Sequence, residues 1–211
     1  MTGRKRLGRV LIILGALMLC AAFVLLMHNL REGKRAEAYS GVVMKQLAIR
    51  VREQAKQDRP APDTNEAARH RVTMPVIEID GQEYIGFLTV PDLSIELPVM
   101  KDWDYGKLIL APCRYSGTPY TGDLVIAAHN YGRHFGQLSH LERGARILFT
   151  GADGNVSRFA VEEIEVLKPT DIEEMVSGEY ALTLFTCTYS GRARLAVRCV
   201  PDENESFLYE E

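Results

Sequence analysis

A mainly β domain, barrel or sandwich, carried behind a single membrane-spanning helix is the fold the sequence predicts. Three observations predict it: an uncharged apolar run near the N-terminus, a Pro-containing break after a helix-permissive stretch, and many short apolar segments with few helical ones beyond that break. At 211 residues, 46% apolar and 25% charged, the chain can build one domain with its own core, which excludes a disordered chain, a collagen and a small disulfide scaffold. The net charge of −3 hides an asymmetry, because residues 1–9 hold Arg4, Lys5, Arg6 and Arg9 and no acid. Residues 10–211 keep 21 bases against 28 acids, about −7. Such an acidic remainder argues against nucleic acid as a partner, since phosphate binding needs a concentrated basic surface.

The apolar run Val10–Met27 has 18 residues without charge or proline. As a helix it covers about 27 Å, close to the roughly 30 Å hydrocarbon thickness of a bilayer. It continues through Phe23 to Met27 without a small-x-small cleavage site, which favours an anchor over a cleaved signal peptide. Leu19 precedes Cys20 where a lipoprotein site would carry a small residue, so Cys20 reads as a helix-packed thiol. The basic bias ahead of the run predicts a cytoplasmic N-terminus and an extracellular remainder.

Residues 33–57 are rich in Ala, Arg, Lys, Glu and Gln, with Ala36, Tyr39, Val43, Leu47 and Val51 recurring at spacings of three or four. That stripe predicts a helical stalk or a helix lying against the domain. The following QDRPAPDTNEAARHR, residues 57–71, reads as a linker. The predicted division is therefore 1–30 for basic tail and anchor, 31–73 for juxtamembrane helix and linker, and 74–211 for the β domain. Within the last, strands are expected at Tyr84–Val90 and Ser94–Met100 around a Pro91-Asp92 turn, and at Leu124–Ala128, an apolar run of the kind covered on both faces. A short helix at Phe135–Leu141 comes next, then strands at Arg146–Thr150, Arg158–Val166, Tyr180–Cys187 and Arg192–Val200, with a helical turn near Asp171–Val176.

The stretch ALTLFTCTYSGRARLAVRC, residues 181–199, carries the chemistry. Two alternating segments flank Ser190-Gly191, a two-residue hairpin turn in this reading. Paired residues then have numbers summing to 381, which sets Cys187 opposite Arg194. Leu182, Leu184, Leu195, Val197 and Cys199 form a core face; Thr183, Phe185, Cys187, Arg194 and Arg198 form a face suited to a site. A longer loop would shift the pairing, so Arg194 is favoured over Arg192 and Arg198. A guanidinium lowers a thiol pKa and holds an oxyanion, but a cysteine nucleophile also needs a proton carrier. His129 is the best candidate because it ends the buried-type strand LVIAA, with a capped structural histidine as the bland alternative. His134 and His140 are rivals placed in or beside a short helix among solvent-type residues. Their spacing from His129 and the absence of Cys-x-x-Cys argue against a metal site.

TLFTC at 183–187 resembles the TLxTC signature of sortases, the membrane-anchored cysteine transpeptidases of Gram-positive bacteria. GFLTVPDLSIELPV is similar to that family's opening strand pair, LVIAAHNYGRHFGQL to its histidine segment and RLAVR to its arginine strand, so the resemblance covers about residues 84–200. It implies a closed eight-stranded β-barrel with the site at one end and no cofactor. It further implies that Cys187 attacks a Thr-Gly-type bond in an LPxTG-like sorting signal, forming an acyl-enzyme. His129 then protonates the leaving amine and accepts a proton from the incoming one, while Arg194 steadies the oxyanion and orients the peptide. Thr183 and Thr186 shape the substrate pocket, with strand packing as the alternative role. The implied partners are sorting-signal proteins, the membrane, and an amine from a peptidoglycan precursor or a pilin lysine.

The pattern departs from the family where AAHN replaces the commoner AGH. An Asp-Pro-aromatic lid before Met74 and a second apolar span after Cys187 are both missing, which leans towards surface anchoring of proteins over fibre polymerisation. Glu162, Glu163, Glu165, Glu173 and Glu174 read as a solvated face, not a calcium site. Cys113 and Cys199 are expected to be buried free thiols, with a disulfide between them left open. Two rival functions use the same residues or none: a tethered cysteine peptidase with water as acceptor, and a non-enzymatic anchored β-domain. The His-Gly-x-x-x-Cys run of L,D-transpeptidases is absent.

Overall fold

The computed structural model describes residues 2–57 and 74–202. The linker expected at 57–71 and the position of the missing lid lie almost wholly outside these residues. Helix α1 spans Thr2–Gln57. It is the one helix, among the described residues, long and apolar enough to cross a membrane, and its apolar side chains from Val10 to Leu26 are exposed. The chain divides into two compact units, Met1–Arg35 and Ala36–Glu211, so residues 36–57 of α1 belong with the strands.

Among the described residues the second unit has nine strands: β1 (Ile77–Ile79), β2 (Gln82–Val90), β3 (Ile95–Met100), β4 (Cys113–Ser116), β5 (Leu124–Ala127), β6 (Arg146–Gly151), β7 (Val156–Leu167), β8 (Leu182–Cys187) and β9 (Arg194–Pro201). Their order is β1-β2-β3-β4-β5-β8-β9-β7-β6, and β6 pairs again with β2. Strands β2 to β9 thus close into an eight-stranded barrel. The short β1 lies on the first residues of β2, Gln82 to Tyr84, and β6 takes over from Gly86. The exchange coincides with a bulge between Tyr84 and Gly86. Gly86 sits at φ +145°, and a Cβ there would fall 2.0 Å from the Thr150 carbonyl oxygen, so only glycine permits this close seam. Short 3₁₀ turns at Pro91–Leu93 and Phe135–His140 and the single-turn helices α2 (Tyr105–Leu108) and α3 (Ile172–Met175) fill the connections.

Burial explains the strand patterns. Every residue of β5 is buried: Leu124 and Ile126 enter the barrel core, Val125 lies under Leu167, Met175 and Ala196, and Ala127 joins a second core. That second core forms where Val43, Leu47 and Val51 of α1 meet Ile77, Ile79, Tyr84, Met100 and Cys113. The predicted stripe is therefore a docking face against the barrel. Each of those three aliphatic side chains contributes about 1.5–3 kcal/mol by its burial, and the Tyr39 and Tyr84 hydroxyls join at 2.7 Å beside them. β1, β4 and α2 were not foreseen. Strand β4 is only four residues long, and its parallel pairing to β3 rests on the one register pair Met100–Cys113.

The β8–β9 register is Leu182–Cys199, Thr183–Arg198, Leu184–Val197, Phe185–Ala196, Thr186–Leu195 and Cys187–Arg194. The expected pairing stands, but the turn is wider than expected. The Thr188 amide bonds Ala193, and the Gly191 amide bonds Thr188, leaving a four-residue loop, 189–192, with Gly191 at φ +70°. A four-residue loop centred on the same point preserves the same sum, so Cys187 still meets Arg194. Cys113 and Cys199 are buried free thiols.

Candidate active site

The outer face of the barrel, where β4, β5, β8 and β9 end, floors a cavity of about 340 Å³ lined in part by His129, Thr186, Cys187 and Arg194. One wall is aromatic and comes from the β3–β4 connection and β4. Trp103 packs against Tyr105 and Tyr115, with ring centroids 5.6 and 5.4 Å apart, and Tyr115 meets Phe185 edge-on at 5.2 Å. The opposite wall is the β7–β8 connection, through Lys168, Pro169, Asp171, Ile172 and Met175.

Two independent strand ends bring the sulfur and the imidazole to this cavity. β5 and β8 run parallel in register from Leu124–Leu182 to Ala127–Phe185, and the Ala128 amide donates to the Phe185 carbonyl. Beyond that point the Thr186 hydroxyl, itself buried, donates to the Ala128 carbonyl at 2.8 Å. The residue before Cys187 is therefore tied to the residue before His129. Thr186 both lines the cavity and fixes its two strands. Cys187 and His129 are each half-buried, and burial pulls the His129 imidazole below its ordinary value. Arg194 is half-buried on the same rim, its Nη1 donating to the Gly191 and Ala193 carbonyls at 3.4 and 3.1 Å.

Other sequence expectations fare differently. Thr183 is buried away from the cavity lining, where its hydroxyl accepts from Arg198 at 3.1 Å. Arg198, 2% exposed, is no part of an open polar face. It pairs with Glu165 at 2.6 Å and donates to the Met175 and Glu174 carbonyls of α3. Alternation reveals which face a strand residue occupies, not what covers that face, so it groups Thr183 and Arg198 with the site although α3 covers Arg198. His140 is exposed, but His134 is fully buried, against the expected solvent setting. No group of carboxylates, cysteines and histidines suited to a metal ion occurs among the described residues.

A sortase domain model matches residues 88–202, more than half of the chain. The chain belongs to the sortase family. Sortases are cysteine transpeptidases, and this sortase shares the fold of several solved members. Sortase C1 from Streptococcus agalactiae is 23% identical, with 82% of this chain and 96% of that chain covered at a TM-score of 0.54. Sortase A from Corynebacterium diphtheriae, a lid mutant, is 20% identical over 79% and 98%, at 0.55. A sortase D5 transpeptidase from Clostridium perfringens is 18% identical over 66% and 90%, at 0.53. The likeness thus extends across several sortase classes at similar strength. No curated protein matches the chain.

Buried His134 gives the sortase a pH-dependent stability. Burial, reinforced by the nearby His129, pulls the His134 imidazole down to about 4. The folded state then holds fewer protons than the unfolded chain between pH 6.5 and about 4, so stability is intact above 6.5 and drains away across that window. The expected loss is on the order of 3 kcal/mol, with His129 acting in the same direction. Denaturant unfolding of the wild type at pH 7 and pH 4 measures it, and His134→Phe should remove most of the difference.

Proposed function

We propose that this sortase cuts an LPxTG-like sorting signal between Thr and Gly and joins the protein to an amine. Cys187 is the nucleophile, His129 the general acid and base, and Arg194 the oxyanion and substrate-positioning group. The reading is carried by one observation: a half-buried thiol, a desolvated imidazole and a guanidinium share one cavity on adjoining strand ends. The Cys187 sulfur attacks the threonyl carbonyl, its proton passing to His129. The Thr–Gly C–N bond breaks, and the imidazolium gives that proton to the leaving glycyl amine, leaving a thioester. An acceptor amine, from a peptidoglycan precursor or a pilin lysine, attacks the thioester and yields a proton to His129, which restores the thiol. Arg194 exchanges its bonds to the turn carbonyls for the developing oxyanion, whose stabilisation dominates acyl transfer. Thr186 holds the two catalytic strands together at the cavity floor.

The same reading gives residues 1–30 the role of basic tail and anchor, 31–73 that of juxtamembrane helix and linker, and 74–211 that of catalytic domain. Arg4, Lys5, Arg6 and Arg9 ahead of the apolar run support a cytoplasmic N-terminus and a site on the outer side. The test is to incubate the protein with an LPxTG-like peptide, with and without an added amine, and to weigh the products. A peptide–amine adduct is expected. Hydrolysis alone, unchanged by the amine, would mark a peptidase, and an untouched peptide would reject the substrate class.

A further inference from the structure

His134 stands outside the proposed chemistry, yet it is built into the scaffold of the site. Its ring is fully buried, and its Nδ1 is the one buried side-chain nitrogen or oxygen without a hydrogen-bond partner among the described residues. Its Nε2 lies 3.5 Å from the Ser40 hydroxyl of α1. That hydroxyl donates to the Leu110 carbonyl at 3.3 Å, so its lone pairs are left to accept. With Ser40 donating to Leu110, the contact favours the Nε2–H tautomer, which leaves the Nδ1 lone pair as the unpartnered atom. Ser40 thereby ties α1 to both the His134 loop and the β3–β4 connection, which carries the aromatic wall.

The loop between the two histidines is tightly wound. The Phe135 amide bonds the His129 carbonyl, and the His134 and Gly136 amides both bond that of Tyr131. A Cβ on Gly136 would strike the Tyr131 carbonyl oxygen at 2.6 Å. The rings form a ladder: His129 to Tyr131 at 5.0 Å, and Tyr131 to His134 at 5.6 Å. Beside it, Arg133 pairs with Glu37 of α1 at 3.2 Å.

We infer that His134 is a positioning residue which, pinned by Ser40, holds Tyr131 and through it the ring of His129, making residues 36–57 of α1 part of the catalytic scaffold. The inference rests on His129 being the proton carrier. A purely structural imidazole would be better replaced by a hydrocarbon ring, which leaves no unpartnered nitrogen. A positioning imidazole would not.

The test uses the full chain in detergent micelles, carrying Ser40→Ala, His134→Phe or both, assayed by amine-adduct formation and by NMR titration of the His129 ring. His134→Phe should be at least as stable at pH 7 as the wild type, yet have a kcat lower by about tenfold with KM within about twofold. Ser40→Ala should lower kcat to at least a similar degree, and the double variant should be no worse than Ser40→Ala, since the Ser40–His134 bond is lost in all three and the Leu110 bond is already lost in Ser40→Ala. The His129 midpoint should rise towards the ordinary imidazole value in each. Unchanged kcat and His129 midpoint in both single variants would overturn the inference, as would additive losses. If the wild type makes no adduct, the substrate reading fails, while the His129 midpoints still decide the positioning. If His134→Phe does not fold, Ser40→Ala alone decides it by the same two readouts.

Discussion

Cys187→Ala should abolish formation of the peptide–amine adduct, lowering it by at least about a thousandfold, while leaving the fold as stable as before. In the proposed mechanism the loss is large because Cys187 is the nucleophile and has no substitute: imidazole and guanidinium remain but have no acyl group to hand on. The stability cost should stay within about 0.5 kcal/mol, because Cys187 is a half-buried residue facing an open cavity at the end of β8. The other thiols of the β domain set the contrast. Cys113 and Cys199 are fully buried, and burial pushes both up to about 12, which keeps them protonated and unreactive. Iodoacetamide should therefore label Cys187 before either of them, and labelling should stop adduct formation in parallel. Adduct from Cys187→Ala at more than a hundredth of the wild-type rate would remove the thiol from the mechanism.

The parts of this molecule that were legible in the sequence are those written in a period. The helix stripe from Ala36 to Val51 and the alternating hairpin from Leu182 to Cys199 repeat at 3.6 and 2 residues, the strand Leu124–Ala127 is an unbroken apolar run, and each is found in place. The hairpin carried most: a symmetric turn fixes a constant sum of paired numbers, so the Cys187–Arg194 pair follows even though the loop has four residues and not two. What was not legible depends on groups distant in sequence. The buried His134 meets Ser40, 94 residues away on another element. Likewise the aromatic wall of Trp103, Tyr105 and Tyr115 comes from a connection too short and irregular to show any periodicity.

Arg198 is the sharpest case of the second kind, and its replacement should have the largest effect on stability. It looked like part of an open polar face because it alternates with Cys199 and Val197, but α3 folds over it. Four bonds then converge on one guanidinium: Nε to Glu165 at 2.6 Å, Nη1 to the Met175 carbonyl and to Thr183, both at 3.1 Å, and Nη2 to the Glu174 carbonyl at 2.8 Å. The Tyr180 ring lies 5.3 Å from the guanidinium carbon. A planar five-donor group serves these acceptors, spread over β7, β8 and the 174–175 backbone; a lysine reaches at most part of them. Arg198→Ala leaves Glu165 without its partner and two α3 carbonyls without donors, and opens a cavity under Met175. The expected cost is about 3–5 kcal/mol, read as a fall in the denaturant midpoint. Ile172 and Met175, which line the cavity wall, should loosen with α3. For variant that remains folded, the peptide's KM should therefore rise more than kcat falls, because the wall is displaced while Cys187 and His129 keep their own tie through Thr186. An Arg198→Lys protein of wild-type stability and KM would show that the guanidinium's geometry is not what holds α3 in place.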